Sequence, residues 1–247
     1  MFQFWSERQD LAATLRWAAR LNMQEDIDNH FSLAVPDEDG RRTGSRYLVN
    51  PWGLHWSEIT ASSLLLCNYD GTVLEGDGEV ESSAMNIHAP VHRRVPDSPA
   101  VLHTHAPYAT ALGMVAGGRV VFGQQNAALF WENIAYDDHY DGVAIDHGEG
   151  ERLADILGAA SVLLLSGHGV ITVGSNLAEA FCYMYLLERA ARVQVLAAST
   201  GGALLEFPKE VLVRTAADLK GGFATLSSTY FEFVKRTLAR EEPEYLD

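Results

Sequence analysis

The chain has 247 residues, a formal net charge of -15, 47% hydrophobic residues and 21% charged residues. Such an acidic composition lacks the basic surface that nucleic acid or an anionic membrane requires, so neither is an expected partner. The two cysteines, Cys67 and Cys182, form no CxxC pair, which excludes a disulfide-dense secreted scaffold. The first 20 residues lack a signal-peptide layout and no apolar run reaches 18 residues, which predicts a cytoplasmic protein without a membrane span.

The first part of the chain alternates between helical and strand patterns. Apolar residues at helical spacing predict a first helix over residues 6–22. Strand patterns and the Asp70-Gly71 turn signal predict the elements that follow: a hairpin of strands over 29–35 and from 47, a strand over 61–69, a return strand over 72–75, and a helix over 82–95.

The second part of the chain continues the alternation and ends in a helical tail. The predicted elements are a strand over 100–105, a helix over 106–115, a short strand over 120–122, a helix over 148–157, strands over 161–166 and 170–173, a helix over 177–199, and two short helices over about 208–217 and 223–239. Residues 124–138 show no clear pattern. The acidic end from Glu241 to Asp247 is expected either to be disordered or to cover the site of a neighbouring subunit.

No repeat, low-complexity tract or linker-like change of composition divides the chain. We therefore expect one α/β domain over residues 1–247, with a core over about 10–200 and a helical tail over 201–247.

Three histidines lie at the ends of predicted strands. His103 and His105 are separated by one residue, so in an extended chain their side chains point to the same face. His168 lies between two glycines, directly after an apolar strand. Three neutral imidazoles suit zinc, manganese or iron and leave one coordination position open for a small-molecule substrate. The spacing therefore favours a Lewis-acid metal site. His88 and His92 share one helical face and are expected to be packing residues.

Two sequence segments resemble the class II aldolase/adducin family. One is His88-x-x-x-His92 followed by the segment from His103 to Tyr108, and the other is Leu165-Ser-Gly-His168-Gly with the helix after it. The resemblance covers about residues 10–200. It implies a three-layer α/β/α sandwich around a mixed, mainly antiparallel sheet, and a homotetramer. It also implies a divalent metal, with zinc as the leading choice, on His103, His105 and His168.

The chain departs from the sugar-phosphate aldolases of this family at three places. Their Ser-Ser-Glu segment, which carries the acid/base, reads Ser82-Ser83-Ala84 here. Their two phosphate-binding segments read Asn29-His30-Phe31-Ser32 and Trp52-Gly53. Because tryptophan offers an apolar stacking surface instead of a phosphate ligand, we expect a non-phosphorylated aromatic or keto carboxylic acid as substrate.

The remaining polar candidates divide into two roles. The substrate-binding candidates are Asn29, Trp52, Ser82, Ser83 and Gln124. The candidates for the proton donor that replaces the missing glutamate are His30, Glu81 and Tyr140. Each donor candidate also has a structural interpretation: an inter-strand hydrogen bond for His30, a helix cap for Glu81 and packing for Tyr140.

The leading hypothesis is a divalent-metal-dependent lyase that decarboxylates its substrate or cleaves a C–C bond by an aldolase-type reaction. One alternative is an iron-dependent oxygenase on the same fold. Another is a non-catalytic, adducin-like interaction domain. Adducin-type members of the family lack the metal histidines, so the three intact histidines favour an enzyme.

Overall fold

The computed structural model describes residues 2–140 and 142–247. Within these residues the chain forms an eight-stranded sheet in the order β4-β3-β2-β1-β5-β8-β7-β6. The strands are β1 (His30–Ala34), β2 (Arg46–Val49), β3 (Leu65–Asn68), β4 (Val73–Glu75), β5 (Ala100–Thr104), β6 (Ile134–Asp137), β7 (Val162–Leu165) and β8 (Val170–Gly174). The β6–β7 pair is parallel and the other neighbouring pairs are antiparallel. The sheet is therefore mixed and mainly antiparallel, as predicted.

Helices cover both faces of this sheet. They are α1 (Trp5–Arg20), α2 (Ser82–Arg94), α3 (Pro107–Gly113), α4 (His147–Leu157), α5 (Leu177–Ala198) and α6 (Lys209–Glu241), with short 3-10 helices at Trp56–Glu58, Asn126–Phe130 and Pro243–Leu246. Among the described helices, none combines the length and apolar character that crossing a membrane would require. Apolar residues of α1, α3, α5 and α6 pack on one face, and those of α2 and α4 pack on the other. The predicted three-layer α/β/α sandwich is confirmed.

Strand alternation assigns the residues of β1 and β5 to the two layers. Phe31 and Leu33 of β1 belong to the core beneath α1 and α5. Because successive strand residues point to opposite faces, His30 and Ser32 face α2. His30 lies directly opposite His103 in the antiparallel β1–β5 pair. The two central strands therefore bring two histidines side by side under the α2 layer.

Most predicted elements begin and end within two residues of the observed bounds, with three differences. The strand predicted over 61–69 begins at Leu65, because residues 60–63 form a hydrogen-bonded turn. The prediction of a strand over 120–122 is wrong. The Val121 N–H donates to the Gln194 side chain and the Phe122 carbonyl accepts from Phe207 N–H, so no neighbouring strand pairs with this segment.

The third difference concerns the C-terminal tail. The prediction of two short helices is wrong, because α6 runs unbroken through Gly221 and Gly222 to Glu241. The acidic end after it is ordered against its own chain. Tyr245 is buried, its carbonyl accepts from Ala61 N–H, and Arg16 of α1 pairs with Glu242 and Glu244. The expectation of a disordered tail is therefore wrong.

Candidate metal centre and active site

Three histidines converge where β5 ends and where β7 turns into β8. His103 is the fourth residue of β5, His105 follows the strand, and His168 lies on the β7–β8 turn. Their ring centroids are 4.7 to 5.1 Å apart, and one nitrogen of each ring lies within 4.8 Å of those of the other two. The predicted set of metal ligands is thus brought to one point, with a spacing that one ion can bridge.

Hydrogen bonds to the outer ring nitrogens leave the inner ones available. The Nδ1 of His103 lies 3.1 Å from the Val170 carbonyl oxygen, an acceptor, so that ring carries its proton on Nδ1 and presents a bare Nε2. The Nδ1 of His105 is hydrogen-bonded to the carboxylate of Glu25. The Nε2 of His105 is buried and has no partner. A carboxylate behind a ligating imidazole is a recurrent support of metal sites, so these residues fit a divalent ion.

The electrostatics of the cluster keep these rings in the form that binds metal. Burial lowers the pKa of His103 well below its ordinary value. Burial, and then the neighbouring His105, lower the pKa of His168 to about 4. Both rings are therefore neutral at pH 7, and a metal ion displaces no proton from their free nitrogens.

Gly169 permits the close approach of His105. A Cβ at this position would lie 2.5 Å from the Thr104 carbonyl oxygen and 2.8 Å from Cδ2 of the His105 ring. Both distances are shorter than van der Waals contact allows. The glycine after His168 is therefore required for the packing of the two histidine-bearing segments against each other.

The loop between α1 and β1 supplies two residues behind His105. Asn29 has a positive φ of 73°, and its Oδ1 accepts from the backbone N–H groups of Glu25 and His105 at 2.9 and 3.2 Å. Asn29, predicted to bind substrate, thus ties the loop to the metal centre through its carbonyl oxygen. The sequence analysis missed Glu25, because a residue 80 positions from His105 leaves no spacing signal.

A second polar group lies beside the three histidines. The ring of His30 is 5.0 Å from that of His103, and its Nε2 lies 3.1 Å from Ser83 Oγ and 3.6 Å from a Glu81 oxygen. Ser83 donates to Glu81, which also accepts from Ala84 N–H at 3.0 Å and so caps α2. The structure therefore places two of the three candidate donors, together with Ser83, next to the proposed ligands.

The pKa values of this pair are shifted by burial and by hydrogen bonds. Burial is the largest influence on His30 and lowers its pKa to about 4, although Glu81 opposes the shift. Burial by itself would raise the pKa of Glu81, but hydrogen bonds from Ser83 and the α2 backbone outweigh it and lower the pKa. At neutral pH the pair is a neutral imidazole next to a carboxylate.

Tyr140 closes the site on the side of His168. Its ring centroid lies 5.9 Å from that of His168, and 56% of its surface is exposed. Tyr140, Ser83 and His168 line a cavity of about 60 Å³ whose apolar wall includes Ile87, Ala144 and Leu165. This cavity adjoins His168 and is a space that a small substrate group can occupy.

The remaining substrate-binding candidates from the sequence, Ser82, Trp52 and Gln124, do not line this cavity. Ser82 is exposed and donates to Glu81 at 3.3 Å. Trp52 is 52% exposed on the turn after β2. Gln124 accepts from Ala127 N–H and lines a separate cavity with Ala190 and Leu205, so the chain does not bring it to the histidine cluster.

Comparison with known proteins agrees with this fold and identifies the family. The chain belongs to the class II aldolase and adducin N-terminal domain family, whose model matches residues 9–195. It is 35% identical over 209 residues to a Pseudomonas aeruginosa protein assigned by name to the class 2 aldolases, covering 84% of this chain and 78% of that one. A solved aldolase II superfamily protein from Pseudomonas syringae superposes with a TM-score of 0.90 at 32% identity, covering 100% and 97% of the two chains.

Two further relatives have names that state a reaction. The decarboxylase NovR of Streptomyces niveus is 31% identical, with 93% of this chain and 83% of that protein covered. A Streptomyces roseochromogenus protein named 4-hydroxy-3-prenylphenylpyruvate oxygenase/4-hydroxy-3-prenylbenzoate synthase is 32% identical, with 93% and 80% covered. The same family fold therefore occurs in proteins named for decarboxylation and for oxygenation.

Proposed function

We propose that the chain is a divalent-metal-dependent lyase that acts on a non-phosphorylated carboxylic acid, by decarboxylation or by aldolase-type C–C cleavage. The observation that carries this proposal is the convergence of three histidines beside a His30–Ser83–Glu81 group and a small cavity. His103, His105 and His168 would hold the ion, which supplies a Lewis acid for a substrate oxygen. The residues beside these histidines would bind the substrate and exchange a proton with it.

The cavity supports an aromatic or keto acid as the substrate class. Its wall combines apolar side chains with the Tyr140 ring. Arg152, which contacts the wall residues Asp137 and Glu149, is held by both carboxylates and is not free to bind a phosphate. The name of the NovR relative is consistent with decarboxylation.

The reaction needs one proton at the carbon that loses its bond. In decarboxylation the bond to the carboxylate carbon breaks, its electron pair stays on the substrate, and a proton is added there as carbon dioxide leaves. His30, Glu81 and Tyr140 are the proposed groups that handle this proton, since all three border the site. We propose that the substrate, or the residues next to it, are oriented by Ser82, Ser83 and Asn29. Trp52 is proposed to offer a stacking surface.

Several finer assignments belong to the same proposal. We favour zinc as the ion, with manganese or iron as alternatives, because three neutral imidazoles suit all three. We also propose that the protein is cytoplasmic, that residues 1–247 act as one domain, and that the chain assembles as a homotetramer in which Gln124 could reach a neighbouring subunit's site.

Elemental analysis of protein purified without added metal and without a histidine tag tests the centre directly. We expect about one zinc, manganese or iron ion per chain, and its loss in His103→Ala, His105→Ala and His168→Ala. The partly exposed His147, which begins α4 and does not line the cavity, serves when exchanged for alanine as a matched control that keeps its metal. Full metal content in all three variants, or no uptake by the unchanged protein, would contradict the proposal.

An iron-dependent oxygenase is the second candidate, favoured by the name of the Streptomyces roseochromogenus relative. It predicts that turnover of an aromatic hydroxy or keto acid requires both iron and molecular oxygen. The lyase predicts turnover under nitrogen. A metal-free chain without either activity would instead favour the interaction domain suggested by the adducin members of the family.

A further inference from the structure

A continuous chain of hydrogen bonds runs from the site into the interior between β1 and α2. His30 Nδ1 lies 2.7 Å from His88 Nε2, and His88 Nδ1 lies 2.5 Å from Ser32 Oγ. Ser32 Oγ lies 2.7 Å from His92 Nε2. His30, Ser32, His88 and His92 are all buried. His88 and His92, which were expected to be packing residues, thus join the candidate proton donor His30 and Ser32 in one buried polar row.

The end of this row at the site fixes the direction of its hydrogen bonds. One oxygen of the Glu81 carboxylate accepts both the Ala84 N–H and the Ser83 hydroxyl, so Ser83 is the donor in this contact. Ser83 has no other hydrogen to give and must accept from His30 Nε2. A neutral His30 with its proton on Nε2 has a bare Nδ1, which accepts from His88 Nε2.

The interior end of the row gives the same direction independently. His92 Nδ1 is buried and has no hydrogen-bond partner. An orphaned N–H is rarer and more costly than an under-satisfied acceptor, so His92 carries its proton on Nε2 and donates to Ser32. The Ser32 hydroxyl then has two possible acceptors, His88 Nδ1 at 2.5 Å and the Val101 carbonyl oxygen at 3.4 Å, and the shorter contact assigns its hydrogen to His88. His88 in turn donates from Nε2 to His30.

We propose that His92, Ser32 and His88 are positioning residues that hold His30 as a neutral imidazole with its single proton on Nε2, facing the site. Protonating His30 on both nitrogens would set its Nδ1–H against the His88 N–H and would force the whole row to reverse. The row therefore makes His30 a fixed hydrogen-bond donor. Its N–H is given to Ser83 in this structure, and a bound substrate oxygen would replace Ser83 as the acceptor. It narrows the three proposed proton-handling groups to Glu81 and Tyr140 and assigns His30 to hydrogen bonding instead.

The catalytic meaning of this arrangement rests on the proposed function, whereas the direction of the row does not. A neutral histidine that donates a hydrogen bond to a developing oxyanion is an established electrophilic role. The substrate class that fits such a donor is one whose reacting carbon lies next to a carbonyl or phenol oxygen, because that oxygen gains the negative charge.

Neutron diffraction from crystals of the full chain grown with zinc in deuterated solvent tests the inference. We expect deuterium on Nε2 of His30, His88 and His92, and none on their Nδ1 atoms. Deuterium on His30 Nδ1, alone or together with Nε2, would overturn the inference. The neutron map shows where the deuterium lies whether or not the protein is a lyase. The inference about the proton can therefore be refuted independently of the metal and activity tests of the proposed function.

Two variants test whether the buried row, and not Glu81 alone, fixes the proton. Glu81→Gln replaces the acceptor-only carboxylate by an amide that can donate or accept, and we expect His30 to keep its deuterium on Nε2. In the double variant Glu81→Gln/Ser32→Ala we expect the deuterium of His30 to be divided between its two ring nitrogens. The control, Glu81→Gln/Ser228→Ala, removes an exposed hydroxyl instead, and its His30 should keep the deuterium on Nε2. Movement of the deuterium to Nδ1 in Glu81→Gln alone would show that the row has no positioning role.

Discussion

Glu25 supports the proposed metal centre from outside its ligand set. Its carboxylate bonds the outer nitrogen of His105, and its backbone N–H is held by Asn29, which also holds the His105 N–H. A negative charge behind an imidazole raises its basicity and fixes the ring orientation. Glu25 should therefore affect how tightly the centre binds an ion without touching the ion itself.

Exchanging Glu25 for glutamine removes this charge and keeps the shape of the side chain. We expect zinc affinity to fall by about 10- to 100-fold, the range seen when a supporting carboxylate is lost. Competition with a chromophoric chelator measures the change. Asp26→Asn, a charge removed from the next position of the same loop, is the control and should bind zinc as the unchanged chain does. Equal affinities of the two variants would show that Glu25 does not support the centre.

Gly169 offers a second test at the same scale. In Gly169→Ala the new methyl group meets the Thr104 carbonyl and the His105 ring, so the ring must shift. We expect zinc affinity to drop by about tenfold or more, since ligand placement tolerates only a fraction of an ångström. Gly221→Ala adds a methyl group in open space on α6 and should leave the affinity unchanged. An unshifted His105 in a crystal structure of Gly169→Ala would refute the argument.

At the scale of elements, α6 shows that two adjacent glycines need not end a helix. Gly221 and Gly222 are exposed and continue the helical hydrogen bonds. Packing of Leu212, Ala216, Phe223 and Phe231 on either side of them keeps the helix together. The sequence pattern shows the local preference of glycine but not these tertiary contacts, which is why two helices were predicted.

Replacing both glycines by alanine should therefore stabilise the protein. Each exchange removes about 0.5–1 kcal/mol of unfavourable backbone entropy in a helix interior, so the pair should raise the free energy of unfolding by about 1–2 kcal/mol. Urea unfolding followed by circular dichroism measures it. A lower free energy of unfolding in the double variant would mean that the segment needs glycine for a bend.

The elements that could be predicted share a property that lies in the local sequence. The strands of the sheet centre and the α2 and α5 helices show clear apolar periods, and His103 and His105 converge because i and i+2 share a strand face. Strand β6 was not predicted, since it is only partly buried and has no apolar alternation. Glu25 and the contacts of His30 with His88 depend on pairing between distant segments, which periodicity does not encode.

At the scale of the whole molecule, the buried histidines link folding to pH. Burial lowers the pKa of His92 to about 3 and that of His30 to about 4, and His88 is lowered well below its ordinary value. In the unfolded chain the pKa of each ring lies near the ordinary histidine value of 6.5. Between about pH 6.5 and 4 the unfolded state therefore binds more protons, and stability falls as pH falls through this window.

Exchanging His92 for leucine should make this decline less steep. Each neutral buried histidine lowers the free energy of unfolding by about 1.4 kcal/mol per pH unit below its unfolded pKa, so the variant should lose about that much of the slope. Urea unfolding between pH 4.5 and 7.5, in the presence of a chelator, measures the slope. His139→Gln, at an exposed position, should keep the slope of the unchanged chain. An unaltered slope in His92→Leu would show that His92 takes up its proton without unfolding.

The pairing of β1 with β5 has a consequence for how the sheet assembles. His30 and Ser32 face α2, while Phe31 and Leu33, which alternate with them, face the α1 and α5 core. A slip of β1 by one residue would push a histidine and a serine into that apolar core and leave two large hydrophobic side chains against His88 and His92. Each unpaired polar group would cost a few kcal/mol. The polar residues of the site thus discriminate against the misregistered sheet during folding, so substitutions that make them apolar should increase misfolding.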